Sequence, residues 1–160
     1  MDKAIIVDLD GTLCNIDHRK KYIDGSMGKK DWDKFYSLCD NDSLNNWCFE
    51  ILRAFSSHNV MFRDTSMPSY YFLAVTGRPE KYRTITGDWL VDYCSPVPFE
   101  TLYMRPDGDF RKDTTIKKEV YYKYIKDSYD VLFAIDDRQQ VVDMWRRERL
   151  VCLQCDKGDF

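Results

Sequence analysis

The stretch Lys3-Ala4-Ile5-Ile6-Val7-Asp8-Leu9-Asp10-Gly11-Thr12 decides the fold. Its opening residues are almost all apolar and include β-branched side chains, the composition of a short strand buried on both faces. The run breaks at Asp8, and a second carboxylate follows at Asp10 just before a glycine, so the strand ends in a tight acidic turn. The same grammar recurs downstream. Residues 70–75 form a second apolar run, stopped by Thr76-Gly77-Arg78-Pro79, and residues 101–104 a third. Residues 131–135 form a fourth, ending in Asp136-Asp137, and residues 150–155 supply a fifth.

Helical periodicity fills the gaps between these runs. Ser43 reads as the N-cap of a helix whose apolar residues Leu44, Cys48, Ile51, Leu52 and Phe55 recur at helical spacing. A second helix follows Pro79, which suits a helix first turn, and runs to about Cys94. A third spans residues 112–126 through Ile116, Val120, Tyr121, Tyr124 and Ile125; a fourth spans residues 138–147 through Val141, Val142 and Trp145. Strands alternating with helices predict an α/β fold, an open parallel sheet of about five strands with helices on both faces. Residues 15–42 read as a small cap or helical excursion, and residues 61–69 as a surface loop.

Length and charge bound the function. With 160 residues and 44% hydrophobic composition, the chain reads as a single domain over 1–160. Its 24 Lys and Arg against 27 Asp and Glu exclude a protein that coats nucleic acid by bulk charge, so any such contact must be local. The first apolar run is too short for a signal peptide, and no stretch is long enough to span a membrane. Six cysteines without a secretory signal read as reduced thiols in a cytoplasmic protein, and Cys152 and Cys155 as thiols in the last strand.

In an open α/β sheet, ligands bind at the carboxyl ends of the strands. Asp8, Asp10, Thr76, Arg78, Asp136 and Asp137 all fall there. Buried carboxylates without partners are costly, and a divalent cation resolves them; oxygen ligands plus a substrate phosphate are how Mg2+ is usually held.

These residues resemble the haloacid dehalogenase-like phosphatase superfamily, whose fold is Rossmann-like. Asp8, Asp10, Gly11 and Thr12 match its DxDGT motif, Thr76 its second motif, Lys117 its basic third motif, and Asp136-Asp137 its acidic fourth. A narrower resemblance runs from Lys3 to the end of the chain. Gly108-Asp109-Phe110-Arg111-Lys112-Asp113, Lys117, Ala134 to Arg138, Gln140-Val141-Val142, Met144-Trp145-Arg146-Arg147 and the closing Gly158-Asp159-Phe160 are similar to the 3'-phosphatase domain of polynucleotide kinase-phosphatases of the T-even bacteriophage type.

The resemblance implies Mg2+-dependent removal of 3'-phosphates from DNA or RNA ends through an aspartyl-phosphate, with a minimal cap and, if the source is viral, the host cytoplasm as the compartment. It implies Asp8 as nucleophile, Asp10 as general acid and base, and Thr76 and Lys117 as donors to the phosphoryl oxygens. It implies Mg2+ held by Asp8, the Asp10 backbone carbonyl, Asp136 and Asp137. Arg19, Gly77, Arg78 and Asp113 match positions at the substrate, with the arginines suited to bidentate phosphate contact, Asp113 to orienting one of them or Lys117, and Arg138 as a further candidate. A separate kinase or ligase would be the partner. A small-molecule nucleotidase of the same superfamily is the alternative activity, and an end-binding scaffold without turnover the non-enzymatic one.

Other features read more simply. Gly25-Ser26-Met27-Gly28-Lys29-Lys30 lacks the spacing of a phosphate-binding loop, so it reads as a solvated turn and no ATP use is expected. Arg19-Lys20-Lys21 would ordinarily be a solvated face. Lys118, Lys123 and Lys126 read as helix-surface charges able to guide a backbone. Tyr22, Trp32 and Phe35 are candidates to stack on a terminal base.

Overall fold

A computed structural model describes residues 2–158. Asp159 and Phe160, which close the resemblance, lie outside the described residues. The elements run β1 (Asp2–Val7), β2 (Cys14–Asn15), α1 (Asp17–Lys20), α2 (Trp32–Ser37), β3 (Ser43–Leu44), α3 (Asn46–Met61), β4 (Tyr70–Pro79), α4 (Arg83–Cys94), β5 (Phe99–Arg105), α5 (Asp113–Val120), β6 (Tyr129–Asp136), α6 (Gln139–Arg147) and β7 (Cys152–Gln154). Five strands pair in parallel in the order β5-β4-β1-β6-β7. The acidic strand β1 is therefore central, with neighbours on both edges.

Its alternation assigns the two faces, because successive strand residues point opposite ways. Ile5 and Val7 pack with Phe72, Ala74 and Ile135 against α3 and α4 through Cys48, Leu52, Trp89 and Leu90. Ala4 and Ile6 pack with Leu73, Val75 and Ala134 against α5 and α6 through Val120, Val141, Val142 and Trp145. Both faces are covered, which is why these strands read as continuous apolar runs.

The expected insertion is a small cap. Residues 15–42 hold α1 and α2 and bury Ile16, Ile23 and Phe35 in a core of their own. The antiparallel pair β2–β3 ties it to the body. Residues 62–69 are turns and bends, as expected for a surface segment.

Three local expectations are corrected. Ser43 does not cap α3: it pairs with Asn15, and the helix starts after Asn45, whose carbonyl accepts from Cys48 and Phe49. The Asn45 side chain instead donates to the Thr12 carbonyl at 2.8 Å, so the residue that begins the helix also ties down the acidic turn. Pro79 ends β4 opposite Arg105, and a 3-10 turn, Glu80–Tyr82, separates it from α4. The helix expected over residues 112–126 stops being α-helical at Val120 and continues as a π-helical turn, Tyr121–Ile125, that keeps Tyr121 and Ile125 buried.

Candidate active site

The parity that buries Ile6 turns Asp8 toward the face of α5. There Lys117 Nζ lies 2.6 Å from Asp8 Oδ1 and 2.8 Å from Asp136 Oδ2, all three side chains being buried. Carboxylate oxygens of Asp8, Asp136 and Asp137 lie within 4.8 Å of one another. Burial pushes the Asp8 carboxyl well above its usual range, more than Lys117 restores. Burial likewise raises Asp136, and burial with the Asp136 charge lifts Asp137 to about 7. Burial works against the Lys117 charge, but Asp136 and Asp8 outweigh it and hold the ammonium protonated. Arg138 also bears on Asp137, and Asp113 adds a fourth carboxylate that Arg105 and Arg138 approach, so the carboxylates still outnumber the cations around a small oxygen-lined space, which suits a hard divalent ion.

Gly11 makes this packing possible. Its φ is +84°, and a Cβ there would sit 2.5 Å from Asp137 Oδ2, so a side chain would strain the turn and strike the carboxylate. Thr12 Oγ1 donates to Asp8 Oδ2 at 3.3 Å, and the Asp8 amide donates to the Ile135 carbonyl at 3.0 Å. Gly77 plays the matching part at β4, where a Cβ would lie 2.6 Å from Asp113 Oδ1. Thr76 is buried, and its hydroxyl accepts from the Arg78 amide at 3.2 Å.

Asp10 belongs to a second cluster. Arg78 donates to Asp10 Oδ1 through Nε at 3.0 Å and through a terminal nitrogen at 2.6 Å, and Arg19 donates to the same oxygen. Both guanidiniums also grip Asp42: Arg19 Nε donates at 2.6 Å and Arg78 at 3.0 Å. Burial alone would raise the Asp10 carboxyl, but Arg78 and Arg19 more than offset it and hold it well below the usual range. Both arginines are fully buried in carboxylate contacts, because a sealed guanidinium needs an acceptor for each donor. Arg19 also stacks over the Phe35 ring at 4.1 Å, which removes both from the solvated face and base-stacking roles expected for them.

Asp113 faces Lys117 at 3.8 Å, Arg105 at 3.4 Å and Arg138 at 3.9 Å, so it bears on Lys117 and not on Arg19 or Arg78. Two residues escaped sequence reasoning. Asp42 is buried, with His18 Nε2 at 2.8 Å and its carbonyl accepting from Trp89 Nε1 at 2.8 Å. Arg105 donates to the carbonyls of Gly77, Asp109 and Arg111 and so fixes the loop that leads into α5. Above Asp8 opens a cleft of about 1110 Å³ between α2 and that loop.

A family model described as the polynucleotide kinase PNKP phosphatase domain, of the haloacid dehalogenase type, matches residues 2–160. The chain belongs to this family. As a PNKP-type phosphatase domain it is 26% identical over 144 residues to a bifunctional polynucleotide kinase/RNA ligase of Autographa californica nuclear polyhedrosis virus, covering 90% of this chain and 18% of that protein. Its fold matches a chain in the structure of the Pnkp1/Rnl/Hen1 RNA repair complex with a TM-score of 0.79 and 36% identity, over 100% of this chain and 44% of that one. A second Pnkp1/Rnl/Hen1 structure matches equally, covering 48% of its chain. The domain thus spans less than half the length of each of these relatives.

Proposed function

We propose that residues 1–160 act as one Mg2+-dependent polynucleotide 3'-phosphatase domain, and the observation that carries this is Asp8 at the floor of the cleft, paired with Lys117 and flanked by Asp136 and Asp137. The relatives are named for a polynucleotide kinase and an RNA ligase and for an RNA repair complex. Joining ends requires a free 3'-hydroxyl, so a phosphatase in such company finds its use in clearing 3'-phosphates.

The residues fit the ion, three buried carboxylates being hard oxygen donors with surplus charge. Asp8, Asp136 and Asp137, with the Asp10 carbonyl, would hold Mg2+, which would supply counter-charge to the carboxylates and to the phosphoryl group. Asp8 attacks phosphorus in line, forming an aspartyl-phosphate as the ester oxygen leaves. Lys117 already touches Asp8, and it holds the phosphoryl oxygens together with the Thr76 hydroxyl. Asp10 gives its proton to the leaving oxygen and then takes one from the water that cleaves the aspartyl-phosphate. In the structure Arg19 and Arg78 keep Asp10 ionised. An arriving phosphate offers those guanidiniums a second acceptor, and drawing them off lifts Asp10 toward its proton-donor form.

The test is phosphate release, with Mg2+ and with EDTA, from a 3'-phosphorylated oligonucleotide, its 5'-phosphorylated twin and a 3'-mononucleotide. We expect Mg2+-dependent release from the 3'-phosphorylated strand, and Asp8→Asn to lower turnover by roughly 1000-fold or more and to leave no trapped phosphoenzyme. Preference for the mononucleotide would move the domain to the nucleotidases.

A further inference from the structure

We propose that the cleft is a channel for an unpaired 3' end, with Phe110 and Trp32 as the surfaces on which bases next to the scissile phosphate stack. The proposal rests on the 3'-phosphatase reading above and deepens it. Phe110 is 97% exposed, on the loop between β5 and α5, and Trp32 is 38% exposed, at the start of α2. Both line the cleft whose floor holds Asp8 and Lys117.

A large apolar ring left in water gives up its burial free energy; one such ring is ordinary, but two facing one cleft call for a reason. A loose loop is not that reason. Arg105 holds the carbonyls of Asp109 and Arg111, which flank Phe110, and Arg111 pairs with Asp109 at 2.7 Å and Glu119 at 2.6 Å. The loop is braced on either side of the ring it presents. Trp32 is fixed as firmly: it stacks on Tyr36 with centroids 5.8 Å apart and planes 25° apart, and Tyr36 donates to the Gly77 carbonyl at 3.4 Å. Two separate elements thus hold aromatic faces toward one cleft.

The cations near the rings favour one kind of occupant. Lys29 and Lys112 line the same cleft, and Lys30 lies 5.7 Å from the centre of the Trp32 ring. Of the outer carboxylates that also line it, Asp33 is paired with Lys81 at 2.6 Å and Asp109 with Arg111 at 2.7 Å. Cations interleaved with exposed aromatic faces suit a strand that alternates phosphates with bases, and only unpaired bases have faces free to stack. The volume agrees. At about 1110 Å³ the cleft exceeds the roughly 300–1000 Å³ typical of small-molecule sites, which leaves room for nucleotides beyond the one bearing the phosphate.

The experiment is steady-state kinetics of the domain in Mg2+ on an unpaired 3'-phosphorylated oligonucleotide and on the same strand with abasic sugars in its last nucleotides. Losing one stack is expected to raise KM roughly 5- to 150-fold. Wild type should show that penalty on base removal. Phe110→Ala and Trp32→Ala should raise KM for the complete strand and lose most of the discrimination against the abasic one, and Phe110→Trp should restore it. The proposal is overturned if wild type ignores base removal, or if both alanine variants keep its full base dependence. A failure of the parent reading looks different: wild type would turn over a mononucleotide and no oligonucleotide at all, and the channel would fall with it.

Discussion

Asp8 and Asp10 stand two residues apart, yet each belongs to a differently balanced cluster on its own face of the sheet edge. Asp8 joins Lys117, Asp136 and Asp137 over the α5 side, where carboxylates outnumber the cations. Asp10 joins Arg19, Arg78 and Asp42 over the α4 side, where Arg78 also donates to Thr86 of α4 and two guanidiniums meet two carboxylates. The second cluster balances its own charge, with Arg19, Arg78 and Asp42 fully buried and Asp10 reaching the wall of the cleft. The first does not balance, and it lines the same cleft. The difference fits the proposed chemistry: the unbalanced cluster suits a cation and a phosphoryl group, and the balanced one braces Asp10.

Breaking the brace should have the largest effect on stability. Removing one partner from a buried ionic cluster leaves uncompensated charge and costs about 3–5 kcal/mol. Asp42→Ala should therefore lower Tm by roughly 10 °C in a domain of this size, as read by thermal denaturation. A loss below about 1 kcal/mol would show that the arginines do not depend on Asp42.

The open cluster should behave in the opposite sense. In EDTA, Asp137→Asn removes repulsion and should leave the protein at least as stable as wild type. Mg2+ at one hundred times its Kd should stabilise wild type by about 2.7 kcal/mol and the variant by much less. A variant less stable than wild type in EDTA would mean that Asp137 is not a strained carboxylate.

Much of this was legible in the chain, for a physical reason. Strand burial writes itself as short apolar runs, and acid at their ends has no structural excuse, so Asp8, Asp136 and Asp137 could be read together before any coordinates, and Lys117 joined them through the resemblance. The brace could not. Asp42 sits in a polar stretch, Asp40-Asn41-Asp42-Ser43, that reads as a turn, and its guanidinium partners lie 23 and 36 positions away. Arg19 hides in a basic run whose neighbour Lys21 is exposed, so only the fold reveals it as buried. Ser43 has the chemistry of an N-cap and lost the role to a two-residue ladder with Asn15. Phe110 could be read only as part of a matched loop segment, since whether a ring is buried is decided by the loop that carries it.

The measurement that separates the clusters most directly is the dependence of stability on pH. With its carboxyl raised to about 7, folded metal-free Asp137 keeps a proton that the unfolded chain releases near pH 4. Its contribution is fully present below about pH 4 and drains away as pH rises toward 7. Asp10 is depressed by Arg78 and Arg19, so its contribution is present above about pH 4 and lost as pH falls below that. Tm measured in EDTA across this range should therefore lose part of its fall between pH 4 and 7 in Asp137→Asn, and part of its acid limb in Asp10→Asn. Mg2+ should flatten the first limb in wild type and leave the second untouched. If Asp137→Asn instead altered only the acid limb, the charge imbalance that distinguishes the two clusters would not be what perturbs their carboxylates.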